Sequence, residues 1–226
     1  MPIITISRCS YTHGKDIAEG VAETLGYACI SREELLDTSQ EFNIPGIKLV
    51  RELPIILEQT IFNKYRYISF IRSALLRHLT KDHIVYHGFC GHIFLKDIDH
   101  VLKVQITADP EDRVKLVMER DGISRKEALL FIKTMDDARK KWCQKLYKFD
   151  LLNINQYDIS MNISKFHRDE AVDIICKTAL LEQFKTTAKS RKAMDELLIA
   201  AETGAKTLTD FETNHISSIA SVVLFQ

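Results

Sequence analysis

The sequence carries no excess of either charge: 31 basic residues meet 31 acidic ones in 226. That excludes an overall basic footprint for nucleic acid, so any phosphate binding has to be local. Long apolar runs are missing too. No stretch approaches the roughly 18 residues of a membrane-spanning helix, and no membrane partner is expected. The N-terminus lacks the basic-then-apolar order of a signal peptide. Cysteine is sparse and scattered, at Cys9, Cys29, Cys90, Cys143 and Cys176. An odd, dispersed set fits reduced thiols in a cytoplasmic protein and not a disulfide framework. Internal repeats and low-complexity runs are absent.

What is present is alternation of strand-like and helix-like stretches. Ile3–Ser7 reads as strand and Lys15–Leu25 as helix, closed by Gly26. Tyr27–Ile30 reads as a short strand. Ser31 and Glu34 form the ends of a capping box for a helix over 32–38, and Ser124 with Glu127 forms another. Residues 42–54 read as irregular. Helical periodicity runs from Ile55 to Leu79. His83–His87, Val101–Thr107 and Tyr157–Ile163 read as strands, and Asp109-Pro110 opens a helix to about Arg120. Asp169–Phe184 reads as the last helix of the series. A β-α-β-α order predicts an α/β fold: a mainly parallel sheet of about five strands with helices on both faces. Such sheets bind ligands at the carboxyl ends of their strands. The expected domain covers 1–185. The remainder, 186–226, reads as an appendage or truncated module whose end, "HISSIASVVLFQ", is strand-like.

Glycine is missing where it matters most. The first strand runs through "CSYTHGKD" into the first helix, the position of a phosphate-cradling loop of the form G-x-x-x-x-G-K-[ST]. Gly14 and Lys15 match that pattern, whereas Cys9 replaces the first glycine and Asp16 the hydroxyl. A helix N-terminus still offers unpaired N–H groups and a partial positive charge to an anion. The candidate phosphate-binding residues are therefore Ser10, Thr12, His13, Gly14, Lys15 and Asp16. Asp16 is also the candidate magnesium ligand, and Thr12 is a second source of the missing hydroxyl. The bland alternative is an ordinary helix start with an exposed lysine.

Several short stretches in order resemble the cytidylate kinase-like branch of the P-loop nucleoside monophosphate kinases. They are "ISR" at Ile6–Arg8, "LGYACISREELL", "VYHGFCGHIF", "VLKVQITADPEDRVKLVMERDGISRKEA", "MDDARKKW" and "YDISMNIS". The likeness runs from Ile3 to about Ala179 and implies a P-loop NTPase-like three-layer sandwich. It implies transfer of a phosphoryl group from ATP, with Mg2+, to a nucleoside monophosphate such as CMP. By the same likeness Lys15 and Arg139 are catalytic, and Asp136 with Arg139 holds the acceptor. Arg113, Arg120 and Asn162 are then nucleotide or lid residues. Three positions depart from the family pattern. Tyr11 and His13 replace loop glycines, and Phe89 replaces the Gly-Arg-Gly arginine that would grip the acceptor phosphate. A left-handed backbone at a non-glycine residue costs on the order of 1–2 kcal/mol, so the loop takes another shape or grips phosphate less well.

Other readings stay open. Asp136 and Arg139 are also placed for an i,i+3 surface ion pair. Arg66, Arg72 and Arg77 lie on the long helix expected to flank the acceptor. Asp158 reads as a loop anchor, and Trp142 and Tyr147 as packing residues. His83, His87, Cys90 and His92 offer metal-ligand chemistry at a spacing that matches no established zinc pattern. Three functions follow: a kinase, a catalytically impaired nucleotide sensor or scaffold on the same fold, and a structural or metal-binding interaction module. The acceptor's identity and the oligomeric state are not legible from the residues.

Overall fold

The computed structural model describes residues 2–9, 11–32, 34, 61–88, 91–150 and 153–223. Ser10, Phe89, Cys90 and most of the helix expected over 32–38 lie outside them, as do residues 42–54. Five strands form one sheet in the order β2-β3-β1-β4-β5, and every pair is parallel. They are β1 (Ile3–Arg8), β2 (Ala28–Ser31), β3 (Ile84–Gly88), β4 (Val101–Thr107) and β5 (Ile159–Asn162). The expected mainly parallel sheet is wholly parallel.

β1 is the central strand, with Ile4 opposite Val85 on one side and Leu102 on the other. A strand covered on both faces has no polar side to show, which is why "IITIS" reads as a nearly unbroken apolar run. Ile4 and Ile6 pack with Ile17 and Val21 of α1 (Gly14–Leu25) and with Val172 and Ile175 of α5 (Arg168–Ala179). Ile3 faces the other way, towards Leu75 and Leu79 of α2 (Ile61–Leu79). Trp142 joins this second core from the end of α4 (Arg125–Trp142), fully buried and edge-on to Tyr67 at 5.6 Å. Trp142 is thus a packing residue, as read from the sequence.

The stretch read as strand-like near the end of the segment 186–226 is helical over its described residues. From Ala188 to Val223 the chain is one helix, α6. Its β-branched residues mislead, because Ile216, Ile219 and Val223 are also spaced i, i+3 and i+7, one helical stripe. Met194 and Ala201 of α6 join the core around α2, and Arg77 pairs with Glu202 at 2.6 Å.

From the carboxyl end of β4 rises a hairpin of two helices, α3 (Pro110–Asp121) and α4. It has its own small core of Val114, Val117, Ala128 and Ile132. Its turn is fixed by Gly122, whose φ of +66° suits only glycine without strain, and by the Ser124–Glu127 capping box. Ser124→Ala removes that reciprocal cap and lowers the unfolding free energy by about 1 kcal/mol, read from the urea midpoint. An unchanged midpoint would show that the hairpin opens independently of the rest of the fold. Among the described residues no helix is long and apolar enough to cross a membrane.

Candidate functional site

The loop between β1 and α1 lies at the carboxyl end of the central strand. Its first residue extends the ladder, since Cys9 N–H donates to the Ile106 carbonyl at 3.1 Å. The chain then turns through two left-handed residues, Tyr11 at φ +60° and His13 at φ +48°. These are two of the positions where the sequence lacks expected glycines, Cys9 being another. The glycine-type backbone is kept without glycine, at on the order of 1–2 kcal/mol per residue. Gly14 then opens α1 against Arg8. A Cβ there would lie 2.8 Å from the Arg8 Cβ and Cδ, so no side chain fits between strand end and helix start.

The side chains divide between loop repair and open solvent. Thr12 is 1% exposed and its Oγ1 donates to the Cys9 carbonyl at 3.1 Å. That hydroxyl thus ties the loop to its own first residue. Asp16 is half exposed, with Oδ2 3.0 Å from His13 Nδ1. Lys15 is exposed on the first turn of α1, 3.6 Å from Glu19. Beside it lies a cavity of about 310 Å³ lined by Arg8, Lys15, Glu19, Cys29, Glu34 and His87. It spans the carboxyl ends of β1, β2 and β3.

The helical hairpin reaches back to this loop. Arg139 Nη1 donates to the Arg8 carbonyl at 2.9 Å, across 131 positions of sequence. Arg113, 8% exposed, pairs with Asp136 at 2.8 Å. Asp136 is thus engaged across the hairpin by Arg113. Burial pushes the Cys9 thiol up, with the charges of Arg113, Asp136 and Arg139 also acting on it. Arg113, Asp136 and Arg139 therefore converge on the start of the loop. The match to the cytidylate kinase-like family model spans residues 3–165, from β1 through β5. The chain belongs to the cytidylate kinase-like family.

A cytidylate kinase of Archaeoglobus fulgidus is 32% identical to it over 110 residues, 47% of this chain and 58% of that protein. A cytidylate kinase of Ignicoccus hospitalis is 32% identical over 79 residues, 35% of this chain and 46% of that protein. The chain thus spans about half the length of the curated relatives it matches. The crystal structure of an uncharacterized protein from Eubacterium ventriosum superposes with a TM-score of 0.63 at 23% identity, over 79% of this chain and 97% of that one. That likeness is one of fold.

Other positions named from the cytidylate kinase-like pattern have local partners. Arg120 stacks over the Tyr11 ring at 4.5 Å and makes two 2.6 Å bonds to Asp121. Asn162 Nδ2 donates to Asp109 Oδ1 at 2.7 Å, and its Oδ1 accepts from Ser164 N–H at 2.9 Å. It pins the loop after β5 to the loop after β4. Asp158 anchors a loop as read, accepting the Lys103 N–H at 2.7 Å. Arg77 points to α6 rather than to the site, and nothing is described of the Arg66 side chain.

The histidines of "HIVYHGFCGH" have separate environments. His83 lies against Tyr27 at 5.2 Å and His92 bonds Ser7, while His87 lines the cavity beside Lys15. Among the described residues no group of three ligands is placed to hold a metal. Two site features escaped the sequence reading, the Arg8 side chain and the Arg139–Arg8 bond. The first had a signal, since Arg8 closes the central strand. The second is purely tertiary.

Proposed function

We propose that this chain transfers the outer phosphate of ATP to a nucleoside monophosphate, with CMP the first acceptor to try. The observation that carries the reading is the loop backbone. Tyr11 and His13 hold the left-handed angles of a phosphate cradle although neither is glycine. A conformation that costs energy persists where the surrounding structure over-determines it, commonly at ligand clamps. Loop N–H groups at the start of α1 would surround the donor phosphates, and Lys15 would neutralise their charge. Arg139, docked on the Arg8 carbonyl, would turn part of its guanidinium to the acceptor phosphate. The acceptor would enter the cavity beside Lys15 and Arg8. No general base is required, because the attacking phosphate oxygen is already anionic.

Magnesium fits the residues sparingly. It is usually held by one or two carboxylates together with substrate phosphates and water. Asp16 is the exposed carboxylate at the loop, so it would hold the ion, whose chemistry is to screen phosphate charge during transfer. A cytoplasmic location goes with this reading, since ATP and nucleoside monophosphates are its substrates.

A second reading, a nucleotide sensor with little transferase activity, rests on one observation. The cations near the loop already have protein partners: Lys15 with Glu19, Arg113 with Asp136, Arg120 with Asp121. Calorimetry with magnesium and ATP tests both readings. Binding is expected in the micromolar to millimolar range, weakened roughly 10- to 150-fold in Lys15→Ala, the loss of a charge-assisted phosphate contact of about 1.5–3 kcal/mol. No heat at millimolar ATP would remove both readings. Binding without CDP formation would leave the sensor.

A further inference from the structure

A second cavity, bounded by described residues, lies away from the phosphate loop. It measures about 720 Å³ and sits between the start of β4 and residues 147–150 and 153–158. His92, Lys96, Lys103, Lys148, Asp150 and Asp158 line it, and none of them lines the cavity beside Lys15. Its size is that of ordinary small-molecule sites, roughly 300–1,000 Å³. Three ammonium groups face two carboxylates, and Asp158 already accepts the Lys103 backbone N–H. Positive charge is left over.

His92 is one of the buried polar groups whose side chain lacks a full set of partners. It is 2% exposed, and its ring lies 4.5 Å from the Tyr157 ring and 5.2 Å from the Phe149 ring. Nδ1 is 2.8 Å from Ser7 Oγ, while Nε2 is buried with no hydrogen-bond partner. Leaving a buried nitrogen unsatisfied costs about 1–3 kcal/mol, and few such atoms survive in native folds without a role. Burial, then the nearby positive charge of Lys103, pushes His92 down to about 4, so the ring is neutral at ordinary pH. The Nδ1–Ser7 contact fits either neutral tautomer; the one bearing on an anion is that in which Nδ1 accepts the hydroxyl proton and Nε2 carries the ring proton. That leaves a buried N–H donor beside a lysine, an arrangement that wants an acceptor oxygen with negative charge.

We propose that this cavity is a second ligand site, taking a small phosphate ester or carboxylate whose oxygen accepts from His92 Nε2 beside the Lys103 ammonium. The lysines at positions 96 and 148, both exposed, guide the anion in, and the aromatic wall formed with Phe149 and Tyr157 covers its organic part. The site is independent of transfer chemistry at the phosphate loop.

The test uses the full chain with 15N-labelled histidine, titrated with inorganic phosphate and separately with citrate, ionic strength being held with chloride. The His92 Nε2 resonance should shift and saturate with half-effect at millimolar concentration or below. A response to phosphate alone assigns the phosphate class, and to citrate alone the carboxylate class. Lys103→Met should abolish the response, and Lys148→Met, at an exposed position, should weaken it severalfold. The second variant keeps the test decisive if the first fails to fold. Lys15→Ala should leave the response intact. No saturable shift with either anion overturns the proposal. So does a response that survives both lysine variants, or one lost in Lys15→Ala, which would assign the effect to the phosphate loop.

Discussion

If the proposed transfer to CMP holds, Arg139→Ala is expected to lower its rate by about 10- to 150-fold, the loss when a charge-assisted phosphate contact of roughly 1.5–3 kcal/mol is removed. The reason lies in position. Arg139 is held at the loop by its bond to the Arg8 carbonyl, and Phe89 cannot supply the bidentate grip of the arginine found there in the family pattern. The acceptor phosphate then depends on few cations, and removing one has a large effect. Steady-state kinetics separate two origins. A fall in kcat and kcat/KM together marks a contact made in the transition state, whereas a rise in KM at constant kcat marks uniform binding of the acceptor. Phe89→Arg is the companion variant and should raise transfer. An unchanged rate in Arg139→Ala would show that the arginine only braces Arg8. No transfer by wild type or Phe89→Arg, with any common nucleoside monophosphate, would end the kinase reading.

How much of this was legible depends on whether the signal was local. β1 and β4 were readable because β-branched and other aliphatic residues dominate them: Ile3, Ile4 and Ile6 in one, Val101, Leu102, Val104 and Ile106 in the other, all buried. The Ser124 cap was readable because its partner, Glu127, is three residues away. The end of α6 was not, since isoleucine and valine at helical spacing also satisfy a strand. The sequence left two shapes open for the loop, because nothing local says whether Tyr11 and His13 will bear left-handed angles. Their conformation is imposed from both ends, by the Cys9–Ile106 ladder bond and by the packing of α1 on Arg8. Asp136 illustrates a further limit. Its neighbours on α4 suggested Arg139 as a partner, but α3 brings Arg113 to it from 23 residues away. Hairpin packing decided a pairing that helical spacing left open.

Tyr11→Gly is expected to free the helical hairpin, accelerating amide exchange in α3 and α4 by about 5- to 70-fold while α1 and β1 keep their protection. Tyr11 bears a left-handed backbone at a cost of about 1–2 kcal/mol, so its side chain must return something. The ring lies 5.5 Å from the Phe131 ring, packs against the small core of the hairpin and sits under the Arg120 guanidinium. An aromatic pair contributes about 0.5–1.5 kcal/mol beyond burial, and an exposed cation–π contact about 0.5–1 kcal/mol. Together these are about 1–2.5 kcal/mol, comparable to the backbone strain and spent on joining loop to hairpin. Glycine relieves the strain and loses the joint, so total stability changes little while the local opening of the hairpin becomes easier. Tyr11→Phe keeps the ring and should behave as wild type, which separates the ring contacts from the hydroxyl. If exchange in α3 and α4 is unchanged in Tyr11→Gly, the Arg139–Arg8 bond alone holds the hairpin down, and Arg139→Ala should then produce the acceleration instead.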